Sequence, residues 1–541
     1  MISSSAFWAS VTLAGAAYTY WRLRKKSFLK DIRGPKPTSW LYGHQIEMQQ
    51  SNVGELDFAW EREYKGAWKV GDCFGREILM LTDPGAINYV VHKRGYAYPK
   101  TRPQKQLTRL FFGRGVAWAA GQRHALHRKV LNPAFTVQSI RAHFPVFRRV
   151  ASQLSALWAD QIQESDVSSA QRFDISKGLT RAALDIIGES VFDYHFGSLN
   201  DDNDFFSSIL NNLFADSTVH PPPAAILFTG TWAFIPESIL QFVAYLPARQ
   251  FVRFREFLSV GKRLGAQLLG DKGENSATDR KKNDILSILV QANESNEVRN
   301  RLDSDEILSQ ITTLLLAGHE STSATMIWLL YELAYHPDDQ TRLRAEIMAS
   351  RQSLAGHDFS VTELENLPFL NACIKEVLRY HPISPWITRQ SAEHDVILLS
   401  APLLTKSGTY IDEIEVGPHQ QVLISTCGYN RLESVFGEDA SQWNPSRFLD
   451  PALRDGKVSI GLYANLLTFS GGPSGCIGYR FAILEMLAVI VELIEKFEFA
   501  PPPDRPVMQR VRAGAVMAPF IKDKFEERVQ MPLSVSLAQV N

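Results

Sequence analysis

Phe469-Ser470-Gly471-Gly472-Pro473-Ser474-Gly475-Cys476-Ile477-Gly478 sets one cysteine inside a glycine-rich turn, directly ahead of an apolar run. Gly472 and Gly478 remove bulk on either side of Cys476, so the backbone there can adopt left-handed or bulged conformations and approach a flat cofactor closely. From Tyr479 to Phe497, apolar residues recur at Phe481, Leu484, Leu487, Ile490, Val491 and Ile494, a helical spacing that predicts burial against a core. Cys476 then stands at a helix N-terminus. There the dipole and nearby N–H donors are expected to lower the thiol pKa and favour the thiolate, the form that binds metal. The same turn could simply carry a core cysteine.

The stretch resembles the cysteine loop of the cytochrome P450 superfamily, Phe-x-x-Gly-x-x-x-Cys-x-Gly, with Phe469, Gly472, Cys476 and Gly478 at the defining positions. The resemblance implies a haem b cofactor with Cys476 as axial iron ligand, and a mainly α fold with small β sheets. A thiolate pushes electron density onto iron and favours O–O cleavage, which points to oxygen activation rather than reversible carriage. Ser474 stands where the family usually has Arg or His, so one expected contact to a haem propionate is missing from the pattern.

Other motifs follow the family's order. Phe369–Tyr380 reads as a helix between Pro368 and Pro382, which puts Glu376 and Arg379 on one face. Alone, such a pair on a surface is worth a few tenths of a kcal/mol. Trp443-Asn444-Pro445-Ser446-Arg447-Phe448 resembles the family loop that adds a second arginine, and the resemblance implies a buried structural triad of Glu376, Arg379 and Arg447 supporting the cysteine loop. Asp303 and Glu306 form a capping box, and the helical pattern they open runs without proline to His336-Pro337.

Within that helix Ala317-Gly318-His319-Glu320-Ser321-Thr322 is a polar notch, with Gly318, Ser321, Thr322 and Thr325 on one face. Glycine inside a helix costs about 1 kcal/mol relative to alanine, so either close approach of a ligand or tight helix packing must account for Gly318. The notch resembles the family's oxygen-binding helix. Glu320 takes the acid position, Ser321 the position where threonine is usual, and Thr322 the next. This implies proton delivery from an acid through a hydroxyl and water. The resemblance further implies that haem propionates meet Arg389, in Pro385-Trp386-Ile387-Thr388-Arg389, and His124 and Arg128, with His124 replacing the family's tryptophan.

The balance of the chain fits this reading. Its 541 residues are 45% apolar with no long Gly/Ser linker, so one large catalytic unit is expected. A net charge of −1 gives no basic field for nucleic acid. Cys73, Cys373, Cys427 and Cys476 are far apart, which disfavours zinc and a disulfide framework, and the first three read as reduced core thiols.

Met1 to Trp21 carries no charged residue, and as a helix would span about 30 Å, near a bilayer core's thickness. Arg22, Arg24, Lys25 and Lys26 follow, so a transmembrane anchor over 1–21 with a cytoplasmic catalytic part is expected. A cleaved signal peptide is the rival reading, but no basic region precedes the apolar run. Residues 22–45, with Gly34-Pro35-Lys36-Pro37, read as a basic, proline-rich hinge, and 46–541 as the catalytic domain. By resemblance the location is the endoplasmic reticulum membrane.

Trp68–Val70 and Ile78–Thr82 read as strands, and Lys272–Lys282 as a polar mobile loop. Pro221-Pro222-Pro223 precedes an apolar stretch, Ala224–Tyr245, broken at Gly230 and Pro236. By family position it is the roof of a substrate channel, dipping into the membrane or simply packed as core. Apolar segments at Leu107–Val116, Ile226–Phe242 and Pro382–Ile387 suit a lipophilic substrate. The resemblance implies a monooxygenase drawing electrons from an NADPH-dependent diflavin reductase, similar to fungal members that tailor secondary metabolites such as terpenoids. A haem-thiolate isomerase or dehydratase, and a noncatalytic haem sensor, are the alternatives. Glu320 and Ser321 argue against the former, and a sensor would need neither a proton relay nor a reductase.

Overall fold

The computed structural model describes residues 27–164, 171–200, 213, 219–274, 285–294, 301–354, 356–450, 459–514 and 516–539. After α1 (Gln45–Gln50) and α2 (Glu55–Tyr64) come the two expected strands, β1 (Ala67–Gly71) and β2 (Glu77–Leu81). They pair antiparallel, Ala67 opposite Leu81, and Thr82 falls just outside. Thr101 accepts from the Gln104 N–H to cap α3 (Arg102–Phe112). Then follow α4 (Gly121–Leu131), α5 (Phe144–Glu164), β3 (Gln171–Asp174) and α6 (Ile175–Phe192). Pro221–Pro223 open α7 (Pro223–Thr231), a helix start where proline loses no hydrogen bond. Gly230 does not break α7. A Cβ there would stand 2.7 Å from that of Cys73, so the glycine admits a neighbour instead. The break is at Pro236, beyond which Glu237–Leu240 and Gln241–Tyr245 form short turns.

The helix α8 (Arg249–Glu274) runs into the segment expected to be a loop: Lys272–Glu274 continue it, and 275–282 lie outside the described residues. Next is α9 (Ser304–Tyr335). Asp303 accepts from Glu306 N at 2.8 Å while Glu306 Oε2 accepts from Asp303 N at 3.0 Å, which is the expected capping box. It ends at His336 because Pro337 opens α10 (Pro337–Ser353). Then come α11 (Pro368–Tyr380), β4 (Trp386–Gln390), β5 (Asp395–Leu404), β6 (Tyr410–Val416) and β7 (Gln421–Ser425). The chain closes with α12 (Tyr479–Lys496), β8 (Phe497–Ala500), β9 (Met508–Ala513), β10 (Val516–Ile521) and β11 (Pro532–Leu537).

The strands make small sheets around this helical body. One has the order β1-β2-β7-β4, with β2 and β7 parallel; another is β3-β11-β8; β5-β6 and β9-β10 are hairpins. The architecture is mainly α with small β sheets, as the sequence leads one to expect. Among the described residues no helix is long and apolar enough to cross a membrane, and Met1–Trp21 lies outside them.

Most of α9 is buried. Gly318 settles the choice left open by the sequence: an added Cβ would stand 2.4 Å from Ile187 Cδ1, so the glycine lets α9 lie against α6 and does not face a ligand. On the other side of the core α12 packs on α5, with the Phe147 and Phe481 rings 4.8 Å apart.

Candidate active site

The cysteine loop is held by short backbone bonds that close on themselves. Cys476 N donates to Phe469 O at 2.9 Å and Gly475 N to Gly472 O at 3.1 Å, while Ala482 N reaches Gly478 O at 3.0 Å to start α12. Gly472 has φ +60°, the left-handed conformation expected, and a Cβ there would stand 2.1 Å from Val91 O. Gly478 is different: its φ is −90° and a Cβ would meet only Phe135, at 3.8 Å. The left-handed reading therefore holds for Gly472 alone. The Phe469 ring lies 6.1 Å from that of Tyr479.

Cys73, Cys373 and Cys427 are free and buried, whereas Cys476 keeps exposed surface. Its thiol is nonetheless pushed upward by desolvation, so the surface it shows faces an interior space rather than bulk water. This corrects the expectation of a lowered pKa. The Gly478 N–H and the Arg128 charge act in the expected direction, but burial outweighs both.

The triad is built as expected and is almost fully buried. Arg379 donates through Nε and Nη2 to the two oxygens of Glu376, each at 2.7 Å. Arg447 Nε lies 3.3 Å from Glu376 Oε1, and Asn444 N donates to the same oxygen at 2.7 Å. Arg447 also bonds Asp439 Oδ1 at 2.6 Å. Sequence reading missed how this cluster reaches the cysteine loop, which is through Asn430. Arg379 Nη1 donates to Asn430 O at 3.0 Å, and the Asn430 side chain accepts from Leu467 N at 3.1 Å and donates to Thr468 Oγ1 at 3.0 Å. Leu467 and Thr468 lead directly into Phe469.

Arg389, His124 and Arg128 are brought together, and they are joined by Lys100, which sequence reading also missed. Burial pushes Lys100 down to about 7, with Arg389 and Lys105 adding to it. Burial, then Lys100 and Arg128, push His124 down to about 4, so it is neutral and shares a 3.2 Å hydrogen bond with the Tyr96 hydroxyl. Burial takes Arg389 to about 10. Arg128 Nη1 donates to Gly475 O at 2.8 Å and its charge also acts on Cys476. Among the described residues no carboxylate lies within ion-pair distance of Lys100, Arg128 or Arg389, so this group of cations calls for an anion from elsewhere.

The α9 notch divides its polar groups between two faces. Ala317 is exposed in the middle of an otherwise buried helix, with Ser321 one turn on, and nearby Leu314 shares an apolar cluster with Ile477 beside the cysteine. Ser321 Oγ donates to Ala317 O at 2.6 Å, Ser323 to His319 O at 2.7 Å and Thr325 to Ser321 O at 2.9 Å, a run of back-bonded hydroxyls of the kind that bends helices. Thr322 is buried. Glu320 points elsewhere. With His319, Ser323 and Ala324 it lines a half-open cavity of 900 Å³ bounded by α5, β3, α6 and the β9–β10 hairpin, and Ser321 is not part of it. Glu320 Oε2 is buried without a partner, and burial pushes its carboxyl up to about 8, so it is protonated at neutral pH. The acid and the hydroxyl are adjacent in sequence but do not meet.

These residues fit the haem that the motifs imply. A lone cysteine sulfur, with no group of three or more His, Cys, Asp or Glu among the described residues able to hold a bare ion, suits an iron whose other ligands come from a porphyrin. The unpaired cations suit its two carboxylates. Cys476 would ligate the iron, and Lys100, Arg128 and Arg389 would hold the carboxylates, with neutral His124 as hydrogen-bonding neighbour.

Comparison with known proteins agrees. The family profile described as Cytochrome P450 matches residues 33–522. Cytochrome P450 monooxygenase 205 of Postia placenta is 31% identical over 94% of this chain and 92% of its own. Cytochrome P450 monooxygenase claQ of Ampulloclitocybe clavipes is 29% identical, covering 95% and 94%. Ganoderic acid synthetase CYP5150L8 of Ganoderma lucidum is 31% identical, covering 97% and 98%.

Proposed function

Since this chain belongs to the cytochrome P450 family, and is a haem-thiolate monooxygenase with a redox partner and a small-molecule substrate, we propose that it oxidises a lipophilic secondary metabolite with electrons from an NADPH-dependent diflavin reductase. When bound, the haem supplies reductive activation of molecular oxygen, one atom of which enters the substrate while the other leaves as water. The observation that carries the assignment is the accessible Cys476 thiol beside Arg128, which stands with Lys100, Arg389 and His124 and, among the described residues, without a carboxylate in ion-pair distance of its cations. Glu320 stores a proton at neutral pH on the cavity side of α9, and Ser321 offers a hydroxyl on the open side. Because the two face different spaces, protons pass between them only through water or through the hydroxyls of the notch. In Ser321→Ala, NADPH consumption continues while hydrogen peroxide rises and product per NADPH falls. An unchanged ratio of product to NADPH removes Ser321 from this role.

We place the catalytic body on the cytoplasmic face of the endoplasmic reticulum membrane, held by residues 1–21 through the hinge at 22–45. Exposed Trp40, Phe228, Ile239, Phe242 and Tyr245 support a second contact. Phe228 lies on α7 and Ile239, Phe242 and Tyr245 in the turns after it, and α1 meets this segment where Gln50 Nε2 donates to Pro221 O at 3.3 Å. Deleting residues 1–26 weakens co-sedimentation with microsomes; full retention in the pellet would move the anchoring to another surface. The relative named for ganoderic acid supports a role in secondary metabolism.

A further inference from the structure

The arginines of the protein interior are mostly accounted for. Arg379 and Arg447 clasp Glu376, Arg344 bonds the carbonyls of Ile494 and Phe497, and Arg389 belongs to the cationic group near the cysteine loop. Arg512 on β9 is not. Its neighbours Val511 and Ala513 are buried, and alternation along the strand turns Arg512 to the opposite face, toward α1 and β4. Nε donates to Gly514 O at 3.2 Å, Nη1 to Gln49 Oε1 of α1 at 3.2 Å, and the guanidinium carbon stands 4.9 Å from the centre of the Trp386 ring. Nη2 donates to no described residue, and among the described residues no carboxylate lies within ion-pair distance. Burial pulls the group down to about 10 with no charged neighbour contributing, yet the residue keeps some exposed surface.

Its surroundings are fixed. Trp386 Nε1 donates to Asp57 Oδ1 at 2.8 Å, and that buried carboxylate also accepts from Ser425 Oγ at 2.5 Å, so the ring beneath the guanidinium cannot swing away. Gln49 lies next to Gln50, which bonds the segment leading into α7 with its exposed Phe228. The hairpin that carries Arg512 continues inward, where Ala513 and Val516 line the cavity on which Glu320 opens. A cation with one open edge, stacked on a hydrogen-bonded indole, therefore sits beside α1, the helix that bonds the segment leading into the apolar surface around α7. The planar fork of arginine matches a carboxylate, and the adjoining indole face matches the hydrocarbon attached to it.

We propose that Arg512 is the substrate's carboxylate anchor, so that the lipophilic molecule this enzyme takes carries a carboxylic acid, its anion on the open edge of the guanidinium and its hydrocarbon against Trp386. The proposal rests on the monooxygenase reading and specifies the substrate class for it.

The test is equilibrium binding to the haem-loaded enzyme at pH 8, where a carboxylic acid is ionised. The probes are dodecanoic acid and abietic acid, each beside its methyl ester, followed by the Soret shift and by tryptophan fluorescence. The wild type binds at least one acid about 10-fold to 100-fold more tightly than its ester, the range of a charge-assisted hydrogen bond. Arg512→Gln loses that preference with ester affinity unchanged. Gln49→Glu, which leaves the arginine in place but offers its guanidinium an internal carboxylate, lowers acid affinity likewise. Equal affinity for acid and ester, absence of acid binding, or an unchanged preference in both variants overturns the proposal. Each preparation is first checked for its red-shifted carbon monoxide band: a missing band in the wild type is a failure of the haem-thiolate reading, and a present band with no acid preference is a failure of the anchor alone.

Discussion

Arg379→Ala leaves little folded, haem-loaded protein. Arg379 is completely buried, and its guanidinium satisfies both oxygens of Glu376 as well as the carbonyls of Asn430, Ala440 and Gln442. Removing it strands part of the charge on a carboxylate that has no route to water, since Glu376 is equally buried, and takes a donor from three carbonyls, of which Gln442 O keeps Arg447 Nη2. Breaking a buried pair from one side costs about 3–5 kcal/mol, a large part of the roughly 5–15 kcal/mol that holds a typical domain together. Arg447 and Asn444 N keep Glu376 partly paired, which prevents the cost from being larger. The damage travels to the haem site because Asn430, bonded to Arg379 through its carbonyl, holds Leu467 and Thr468 with its side chain. Denaturant midpoint and haem content fall together. Arg379→Lys restores a charge but not the planar set of donors, so it rescues only partly. A variant with wild-type midpoint and haem content would show that the triad does not support the cysteine loop.

Gly472→Ala has the second largest effect and acts through the backbone. At φ +60° an L side chain costs roughly 1–2 kcal/mol by itself. The added methyl would further lie 2.1 Å from Val91 O and 2.9 Å from Val91 C, and these are main-chain atoms that cannot rotate aside. Either Tyr89–Lys93 or the loop from Phe469 to Gly478 must move, and Cys476 moves with the latter. The expected result is a strong loss of haem incorporation accompanied by a lower unfolding midpoint. Gly478→Ala is the control, since the chain leaves room for a methyl there: the unfolding midpoint of its haem-free form matches wild type. Equal haem content in Gly472→Ala and wild type would refute the strain argument.

The elements that show plainest in the sequence are those whose signals are local. A capping box at one end and a proline at the other delimit α9, and Pro368 does the same for α11, so their boundaries can be read without tertiary information. The cysteine loop and the partners of the triad are legible because short motifs mark them. What the sequence leaves out depends on what each face meets. Gly318 reads equally well as a ligand cradle and as a helix contact until Ile187 is placed against it. Consecutive residues on a helix diverge by about 100°, so Glu320 and Ser321 cannot share a face, a fact present in the spacing but obscured when the motif is read as a unit. Lys100 sits in an unremarkable Tyr-Pro-Lys stretch, and only the convergence of α4 and β4 shows that it stands among cations. The Cys476 thiol is set by two opposed effects. The helix terminus is visible in the sequence and the burial is not, and burial is larger.

The haem-thiolate assignment has Cys476 ligate the iron as thiolate in a site of this shape. The most direct measurement is the difference spectrum of the dithionite-reduced protein with and without carbon monoxide, recorded beside Cys476→Ala. The wild type is expected to show a strongly red-shifted Soret band that vanishes in the variant. A well-folded wild-type protein without that band, or a band that survives loss of the thiol, would contradict it.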